Sequence, residues 1–223
     1  MNLFPTLLPE NWGYLNLNDE AQKSIFQNPN LDFTDPHACA SWIEKLHQKK
    51  GIKYSYGGFL EERSTLWKEH YQKETGAFVH LGVDYNVPAG TFVALPGDGK
   101  VVDIMHDTDQ FGGWGGRIMW KLQTSNALSL YSSSSSSSSL YLIYGHLGQP
   151  IVPEVGKQYR KGEIVGRIGE SFENGGWHPH LHVQVMDEEF VEQHADIKSI
   201  DGYLPQGHGL LSHIYDPEKV FRV

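Results

Sequence analysis

From Ala77 onward, short runs rich in Val, Ile and aromatic residues alternate with glycine and proline signals. The runs are AFVHL, TFVAL, KVVDIM, RIMWKL, LYLIYGHL, EIVGRIG and HLHVQV, and the punctuation between them includes VPAG, PGDG and FGGWGG. Apolar runs of this length, bounded by turn residues, are typical of β-strands. Because no βαβ alternation interrupts them, the sequence predicts a mainly β fold, an antiparallel sandwich or sheet.

Residues 1–75 have a different pattern. Asp35-Pro36 opens a helical periodicity through Trp42 and Leu46 that ends in a lysine-rich turn before Gly51. A second helical or irregular segment is expected near 60–71. The sequence therefore predicts a partly helical N-terminal extension over 1–75, a main domain over 76–190 and a C-terminal surface segment over 191–223.

Eight consecutive serines, Ser132 to Ser139, separate two of the strand-like runs. A serine repeat is of low complexity and has no side chains that pack a core. We interpret it as an extended hairpin loop. Two roles stay open, a tolerated insertion and a lid over a site.

Composition narrows the classes of function. The chain has 223 residues and a formal net charge of −9, which argues against nucleic acid as a partner. A single cysteine, Cys39, excludes an internal disulfide and any multi-cysteine zinc site. The N-terminus has neither a basic start nor a long apolar stretch, and no run approaches the roughly 20 residues of a membrane helix. We therefore expect no membrane insertion and a cytoplasmic location, unless the chain is already trimmed.

The stretch WHPHLHVQV, residues 177–185, places three of the twelve histidines in five residues. Successive side chains on a strand point to opposite faces, so a strand here would put His178, His180 and His182 on one face with Gln184. Such a row has three interpretations, which are metal ligands, catalytic groups and a polar outer face.

The best partner for this row is HLGVD, residues 80–84. On a straight strand, His80 and Asp84 would lie about 13 Å apart at roughly 3.3 Å per residue, which is too far to share one metal ion. Joint ligation requires a bend, and Gly82 is where the backbone bends at least cost. The pattern alone is a weak indication, because a surface histidine near a solvated aspartate is the commoner case.

With YGHL, which places His146 after an apolar strand, the pattern becomes specific. HLGVDYNVPAGTFVA, GDGKVV, YLIYGHL, KGEIVGRIG and GGWHPHLHVQV closely resemble, in order and spacing, the M23 family of zinc metallopeptidases, the lysostaphin- and LytM-like enzymes. The resemblance is strong over 77–186. The ENGGW-x-PHLH form, together with YGGFLEER, also resembles one branch of that family.

The resemblance implies an antiparallel sheet with an open groove and a zinc-dependent endopeptidase that uses a metal-activated water. His80, Asp84 and His182 match the three Zn²⁺ ligands of the family. His146 and His180 match its two catalytic histidines, and which of them acts as general base stays open. The implied substrates are peptides, including peptidoglycan cross-links or glycine-containing peptides. The alternative is a latent or non-catalytic binding module of the same family.

The chemistry of these residue types agrees with that assignment. Two imidazoles and one carboxylate leave a zinc site with net positive charge, which lowers the pKa of a bound water. The chain contains no HExxH glutamate, and a histidine that titrates near neutrality can supply the acid/base function.

The motifs leave four assignments open. The family often has an oxyanion tyrosine upstream of its first metal histidine, and here Tyr71 or Tyr85 could serve, although neither matches the motif. His178 is extra to the pattern and is expected at the groove rim with ordinary exposure. Arg63 either fastens the N-terminal segment by a salt bridge or contacts a substrate carboxylate. Trp114 either walls the groove or packs in the core or in a turn.

Overall fold

The computed structural model describes residues 3–67, 75–123 and 139–221. Its helices are α1 Leu17–Gln27, α2 Pro36–Lys50, α3 Ser64–Trp67, α4 Glu188–Glu192 and α5 Pro217–Val220. Its strands are β1 Trp12–Tyr14, β2 Tyr54–Gly57, β3 Val79–His80, β4 Val83–Asn86, β5 Phe92–Ala94, β6 Gly99–His106, β7 Gly116–Leu122, β8 Leu140–Leu147, β9 Gln158–Tyr159, β10 Ile164–Arg167, β11 Leu181–Asp187, β12 Tyr203–Leu204 and β13 Ile214–Tyr215.

One large sheet dominates the described part of the chain. Its strand order is β1-β2-β4-β11-β8-β7-β6-β9, and β13 also pairs with β11. The β1–β2 pair is parallel and the other pairs are antiparallel. Two short pairs, β5 with β10 and β3 with β12, complete the strands. The predicted mainly β fold is therefore confirmed.

The central strands are covered on both faces. Every residue of β11 is buried, and β8 has only one partly exposed position, His146. Leu181, Val183 and Val185 belong to the main core, whereas Met186 belongs to a second cluster. A shift of one residue in the pairing of such a strand would exchange the side chains on its two faces. The register of a buried strand is therefore strongly specified.

Helix α2 begins and ends where the sequence predicts. Asp35 caps it by accepting a hydrogen bond from the Ala38 amide at 2.6 Å. Gly51 ends it in the left-handed conformation, with a φ of 67°. Its apolar face joins a third core cluster that also contains Trp67 and Trp177, so this helix packs beside the histidine row.

Segments outside 76–190 also take part in the sheet. Strand β2 pairs with β4, and the backbone carbonyl of Leu3 accepts a hydrogen bond from the Ala94 amide at 2.8 Å. Near the other end, β13 pairs with β11 and Val220 lies in the main core. The division at 75 and 190 stays a prediction, and these contacts describe how closely the three predicted parts associate.

Two further sequence predictions concern segments and membranes. The predicted serine loop, apart from Ser139, lies outside the described residues, as does Tyr71. Within the described ranges, no helix has both the length and the apolar character needed to cross a membrane.

Candidate active site

A bend at Gly82 brings His80 and Asp84 together. Strand β3 ends at His80, β4 begins at Val83, and Gly82 lies in the bend between them. As a result, His80 Nε2 lies 3.3 Å from Asp84 Oδ1. The predicted kink is confirmed. The glycine is also required by space, because a Cβ there would lie 2.5 Å from the Val183 carbonyl oxygen and 2.7 Å from His182 Nε2.

Strand β11 adds His182, which is paired in register with Asp84 on β4 and with Gly145 on β8. His182 Nδ1 lies 3.1 Å from Asp84 Oδ1 and 2.9 Å from His80 Nε2. In a tetrahedral site with metal bonds of 2.0–2.2 Å, the ligand atoms lie about 3.3 Å apart. These three residues therefore have the spacing of a group that could hold one metal ion.

Hydrogen bonds fix which nitrogen of each ligand ring faces the others. His80 Nδ1 donates to the Gly58 carbonyl at 2.8 Å, and His182 Nε2 donates to Gln184 Oε1 at 3.2 Å. The facing nitrogens, His80 Nε2 and His182 Nδ1, then carry lone pairs. The two facing nitrogens and the Asp84 carboxylate oxygen converge at 2.9–3.3 Å, an arrangement that a cation stabilises.

The electrostatics of the cluster favour a neutral His80 and an ionised Asp84. Burial, and next the charge of Arg63, lower the pKa of His80 to about 3. Burial acts to raise the pKa of Asp84, but the neighbouring His80 and the Arg63 guanidinium outweigh it and hold this pKa well below its usual range. Metal ligands must be deprotonated, so His80 and Asp84 are already in the ligating state at neutral pH.

His146 and His180 lie beside the cluster. Both rings are in the same tautomer, with the hydrogen on Nδ1. His146 Nδ1 donates to the Asn174 carbonyl at 2.7 Å, and His180 Nδ1 donates to the His178 carbonyl at 2.8 Å. Their ring centroids are 4.2 Å apart, and His180 Nε2 lies 3.9 Å from Asp84 Oδ1. Burial lowers the pKa of both rings. Each ring therefore presents a basic Nε2 at neutral pH.

His146 adopts an uncommon backbone conformation for a residue with a side chain. Its φ is 65°, although it lies near the end of β8. Its amide donates to the Trp114 carbonyl at 2.9 Å, and its carbonyl accepts from the Gly169 amide at 3.0 Å. Residues held in such a sparsely populated region are found preferentially at functional sites. The surrounding hydrogen bonds fix the direction of the ring.

The expectation that three histidines share a strand face is only partly right. Strand β11 begins at Leu181, so His178 and His180 precede it. His178, expected at the rim, is instead buried, with 2% of its surface exposed. Its ring stacks on His180 with a centroid distance of 5.0 Å. Pro179 and the bends before it replace the regular alternation of a strand.

Aromatic residues wall the cleft around these histidines. Trp114 stacks on His146 at 5.9 Å and meets His182 edge-on at 5.2 Å, so of its two interpretations the groove wall is confirmed. Other lining residues are Trp67, Gly113, Asn174, Trp177 and Tyr203. The cleft has an empty volume of about 460 Å³, counting space open to solvent.

Tyr203, which the sequence reasoning missed, is the tyrosine at the cleft. Its ring centroid lies 5.2 Å from that of His80, because β12 pairs with β3. Burial, with Arg63 opposing it, raises the pKa of Tyr203 to about 12. Tyr85, considered in its place, packs in the main core and donates to Glu218 at 2.6 Å.

Arg63, expected to form a salt bridge or to contact substrate, forms salt bridges with Glu61 and Asp84. The salt-bridge interpretation is confirmed. The neighbouring Glu62 instead accepts hydrogen bonds from Ser64. Arg63 belongs to the YGGFLEER block, which drew attention to it. Because this block is distant in sequence from the other motifs, its contact with Asp84 could not be predicted.

Comparisons with known proteins agree with the site. The model of peptidase family M23 matches residues 78–195, more than half of the chain. A search of curated proteins gave no match.

Among solved structures, the chain is similar to the catalytic domain of the antimicrobial peptidase lysostaphin from Staphylococcus simulans. The two share 21% identity over 78% of this chain and 95% of that one, with a TM-score of 0.45. A putative M23 peptidase from Pseudomonas aeruginosa shares 20% identity over 64% and 43% of the two chains, with a TM-score of 0.39. A mutant catalytic domain of the prophage-encoded M23 protein EnpA from Enterococcus faecalis shares 24% over 54% and 78%, with a TM-score of 0.38.

The family match spans all five motif residues, from His80 to His182, and these are the residues that the fold gathers at one cleft. The chain belongs to peptidase family M23.

Proposed function

We propose that the protein is a zinc-dependent endopeptidase that hydrolyses peptide bonds in the cleft above β4, β8 and β11. The observation that carries the proposal is the convergence of three lone-pair atoms, His80 Nε2, His182 Nδ1 and Asp84 Oδ1, at separations of 2.9–3.3 Å. Family membership supports peptidase chemistry.

The donor set suits Zn²⁺. Imidazole nitrogens and one carboxylate oxygen are among its usual ligands, and three protein ligands leave the open position that distinguishes a catalytic site from a structural one. When bound, Zn²⁺ acts as a Lewis acid that lowers the pKa of water and polarises the peptide carbonyl. His80, Asp84 and His182 would hold it.

We assign proton transfer to His146 and His180. Both rings are neutral at physiological pH and present Nε2 beside the ligand cluster, within reach of a water that attacks the peptide carbonyl. One Nε2 takes the proton from the water and returns it to the leaving amine nitrogen, while the other ring donates a hydrogen bond to the carbonyl oxygen when protonated. The aromatic walls limit the access of bulk water.

The proposed substrates are peptides, with peptidoglycan cross-links and glycine-containing peptides as the first candidates. Membership of family M23 supports this class, because peptidases of the family act on peptidoglycan or other peptides. Gly112, Gly113 and Gly175 line the cleft, so backbone rather than bulky side chains borders the site at these positions. A peptide with small side chains would fit closely against such a border.

The test combines metal analysis with an activity screen. Purified protein is expected to contain one zinc ion per chain and to cleave peptide or peptidoglycan substrates, and His180→Ala is expected to retain zinc without cleaving. Absence of zinc from the wild type, or undiminished cleavage by the variant, would overturn the proposal. Zinc binding without cleavage of any substrate would favour the alternative, a latent or non-catalytic module.

A further inference from the structure

Arg63 comes from the N-terminal part of the chain, yet its guanidinium contacts a residue of the candidate metal site. None of its surface is exposed. Its Nη1 donates to Asp84 Oδ2 at 2.5 Å. Arginine is a rare residue to bury, and it is buried where its charge and planar donors are matched by acceptors.

The backbone around Arg63 fixes this position. Its amide donates to the Phe78 carbonyl at 2.9 Å, and the Glu61 carbonyl accepts a hydrogen bond from the His80 amide at 2.9 Å. Gly58 provides the space, because a Cβ there would lie 2.2 Å from Arg63 Nη2. The segment that carries Arg63 is therefore hydrogen-bonded to the strand that carries His80.

The other two nitrogens of the Arg63 guanidinium also have a partner. Its Nε and Nη2 both donate to Glu61 Oε2 at 3.2 Å, and Nη1 lies 3.3 Å from the Tyr203 hydroxyl. Glu61 in turn accepts from the Asn18 amide through Oε1. Contacts on several sides leave the guanidinium one orientation, so its bond to Asp84 has a fixed direction.

The two oxygens of Asp84 have different partners as a result. Oδ2 is held by Arg63, while Oδ1 lies 3.3 Å from His80 Nε2 and 3.1 Å from His182 Nδ1. A free carboxylate is able to offer a metal either one oxygen or both. We propose that Arg63 is a positioning residue that restricts Asp84 to one ligand oxygen and aims that oxygen at the cation.

This inference rests on the proposed function, since it assumes that the cluster binds zinc. It concerns two opposed effects of Arg63. Its positive charge repels a cation, so charge alone predicts tighter zinc binding when the arginine is removed. Its hydrogen bond orients the ligand, and loss of partners that orient metal ligands typically costs 10–100-fold in affinity. The direction of the change therefore separates the two roles.

The experiment measures zinc affinity by competition with a chelating dye, and the visible spectrum of the Co²⁺-substituted protein, for the wild type, Arg63→Gln and Arg63→Lys. We expect Arg63→Gln to bind zinc about 10–100-fold more weakly. Its Co²⁺ absorption should weaken, because a second carboxylate oxygen raises the coordination number above four. Arg63→Lys keeps the charge but only one donor direction, and should lie between the two.

Arg117→Gln is the matched control. Arg117 is also fully buried and pairs with a carboxylate, Asp103, at 3.1 Å, but that carboxylate is not in the cluster. The control is expected to unfold at lower temperature without a change in zinc affinity or Co²⁺ spectrum.

Zinc affinity that is unchanged or raised in Arg63→Gln, with an unchanged Co²⁺ spectrum, would overturn the inference. If Arg63→Gln does not fold, Arg63→Lys and Glu61→Gln decide, because Glu61→Gln keeps the arginine but weakens what orients it. Wild-type affinity and spectrum in both variants would again overturn it. A different result, failure of the wild type to bind zinc, would contradict the proposed function itself.

Discussion

The two sides of the cleft differ in what holds their polar atoms. On the ligand side, His80 bonds to the Gly58 carbonyl and Asp84 to the Arg63 guanidinium, both from residues 58–63. His182 bonds to the amide of Gln184 on its own strand, β11. On the acid/base side, the rings of His146 and His180 are each anchored by one carbonyl from the same loop, residues 174–178. The ligand side is therefore fixed from two segments, and the acid/base side from one.

This difference suits the two tasks. A metal site requires a constant distance between donors, so several independent supports are an advantage. A group that takes and returns a proton changes its charge, and a carbonyl on Nδ1 stabilises the charged ring without preventing the change. Substitutions on the two sides should therefore separate metal binding from turnover.

The largest effect is expected from Asp84→Asn. The amide is a poorer ligand, and the buried Arg63 loses its charged partner, so zinc binding and peptidase activity should both be lost. Breaking a buried ion pair typically destabilises by about 3–5 kcal/mol. Metal content and urea unfolding measure the two results.

Asp103→Asn is the control for that substitution. It breaks the buried pair with Arg117 outside the ligand cluster, and should therefore lower stability while leaving zinc content intact. Full zinc content in Asp84→Asn would show that Asp84 is not a zinc ligand.

Next in size are His146→Ala and His180→Ala, which test the acid/base side. Both variants should keep one zinc ion, because neither ring belongs to the ligand cluster. Loss of a general acid or base typically lowers the rate about 10²–10⁴-fold, so kcat should fall by this amount. The pH–rate profile of each variant is also measured. A variant whose profile has lost its acidic limb or its basic limb identifies the ring that carries the proton. Loss of zinc from either variant would contradict the separation of a ligand side from an acid/base side.

Gly82→Ala should disturb the ligand side without removing any ligand. The added methyl would lie 2.5 Å from the Val183 carbonyl and 2.7 Å from His182 Nε2, so the backbone or the ring must move. Overpacking of this kind typically costs about 1–3 kcal/mol, and zinc affinity should fall with it. Gly97→Ala is the control, because a methyl group there would meet no described atom within 4 Å and the φ of Gly97 is ordinary. Equal behaviour of the two variants would show that the bend at Gly82 does not set the ligand spacing.

Much of the fold could be predicted because the central strands carry strong apolar runs. The runs that contain β6, β7, β8 and β11 read directly as strands, since their residues fill a core on both faces. Strands β1, β12 and β13 have two or three residues each, too few to show a period. Strands β1 and β13 form on edges of strands in the larger sheet, and β12 forms on the edge of β3. This is a tertiary effect that a local pattern does not contain.

The five motif residues of the site could be predicted, whereas their supports could not. His80, Asp84, His146, His180 and His182 lie in short motifs with a fixed spacing. Arg63 and Tyr203 reach the same cluster from 17 residues before His80 and from the strand that pairs with it, and no spacing rule connects them to it. Packing between distant segments determines those contacts, so only the folded chain shows them.

The smallest predicted effect concerns His178, the ring on the acid/base side whose Nε2 is buried with no hydrogen-bond partner among the described residues. Burial, and next the charge of His180, lower its pKa well below the usual value. The folded state therefore keeps this ring neutral, while the unfolded chain takes up a proton as pH falls below about 6.5. Stability of the metal-free protein should be full above that pH and should decline below it.

Replacing the ring should flatten that decline. His178→Phe keeps an aromatic ring for the stack with His180 and Trp177 but removes the titrating group and the unpaired nitrogen. One histidine contributes a slope of at most about 1.4 kcal/mol per pH unit, so urea unfolding at pH 7.5 and 5.0 should show a smaller loss for the variant. His80, His146 and His180, whose pKa values are also lowered, preserve the rest of the slope. A variant with the wild-type slope would mean that the His178 ring titrates alike in both states, and that this side of the cleft is open to water.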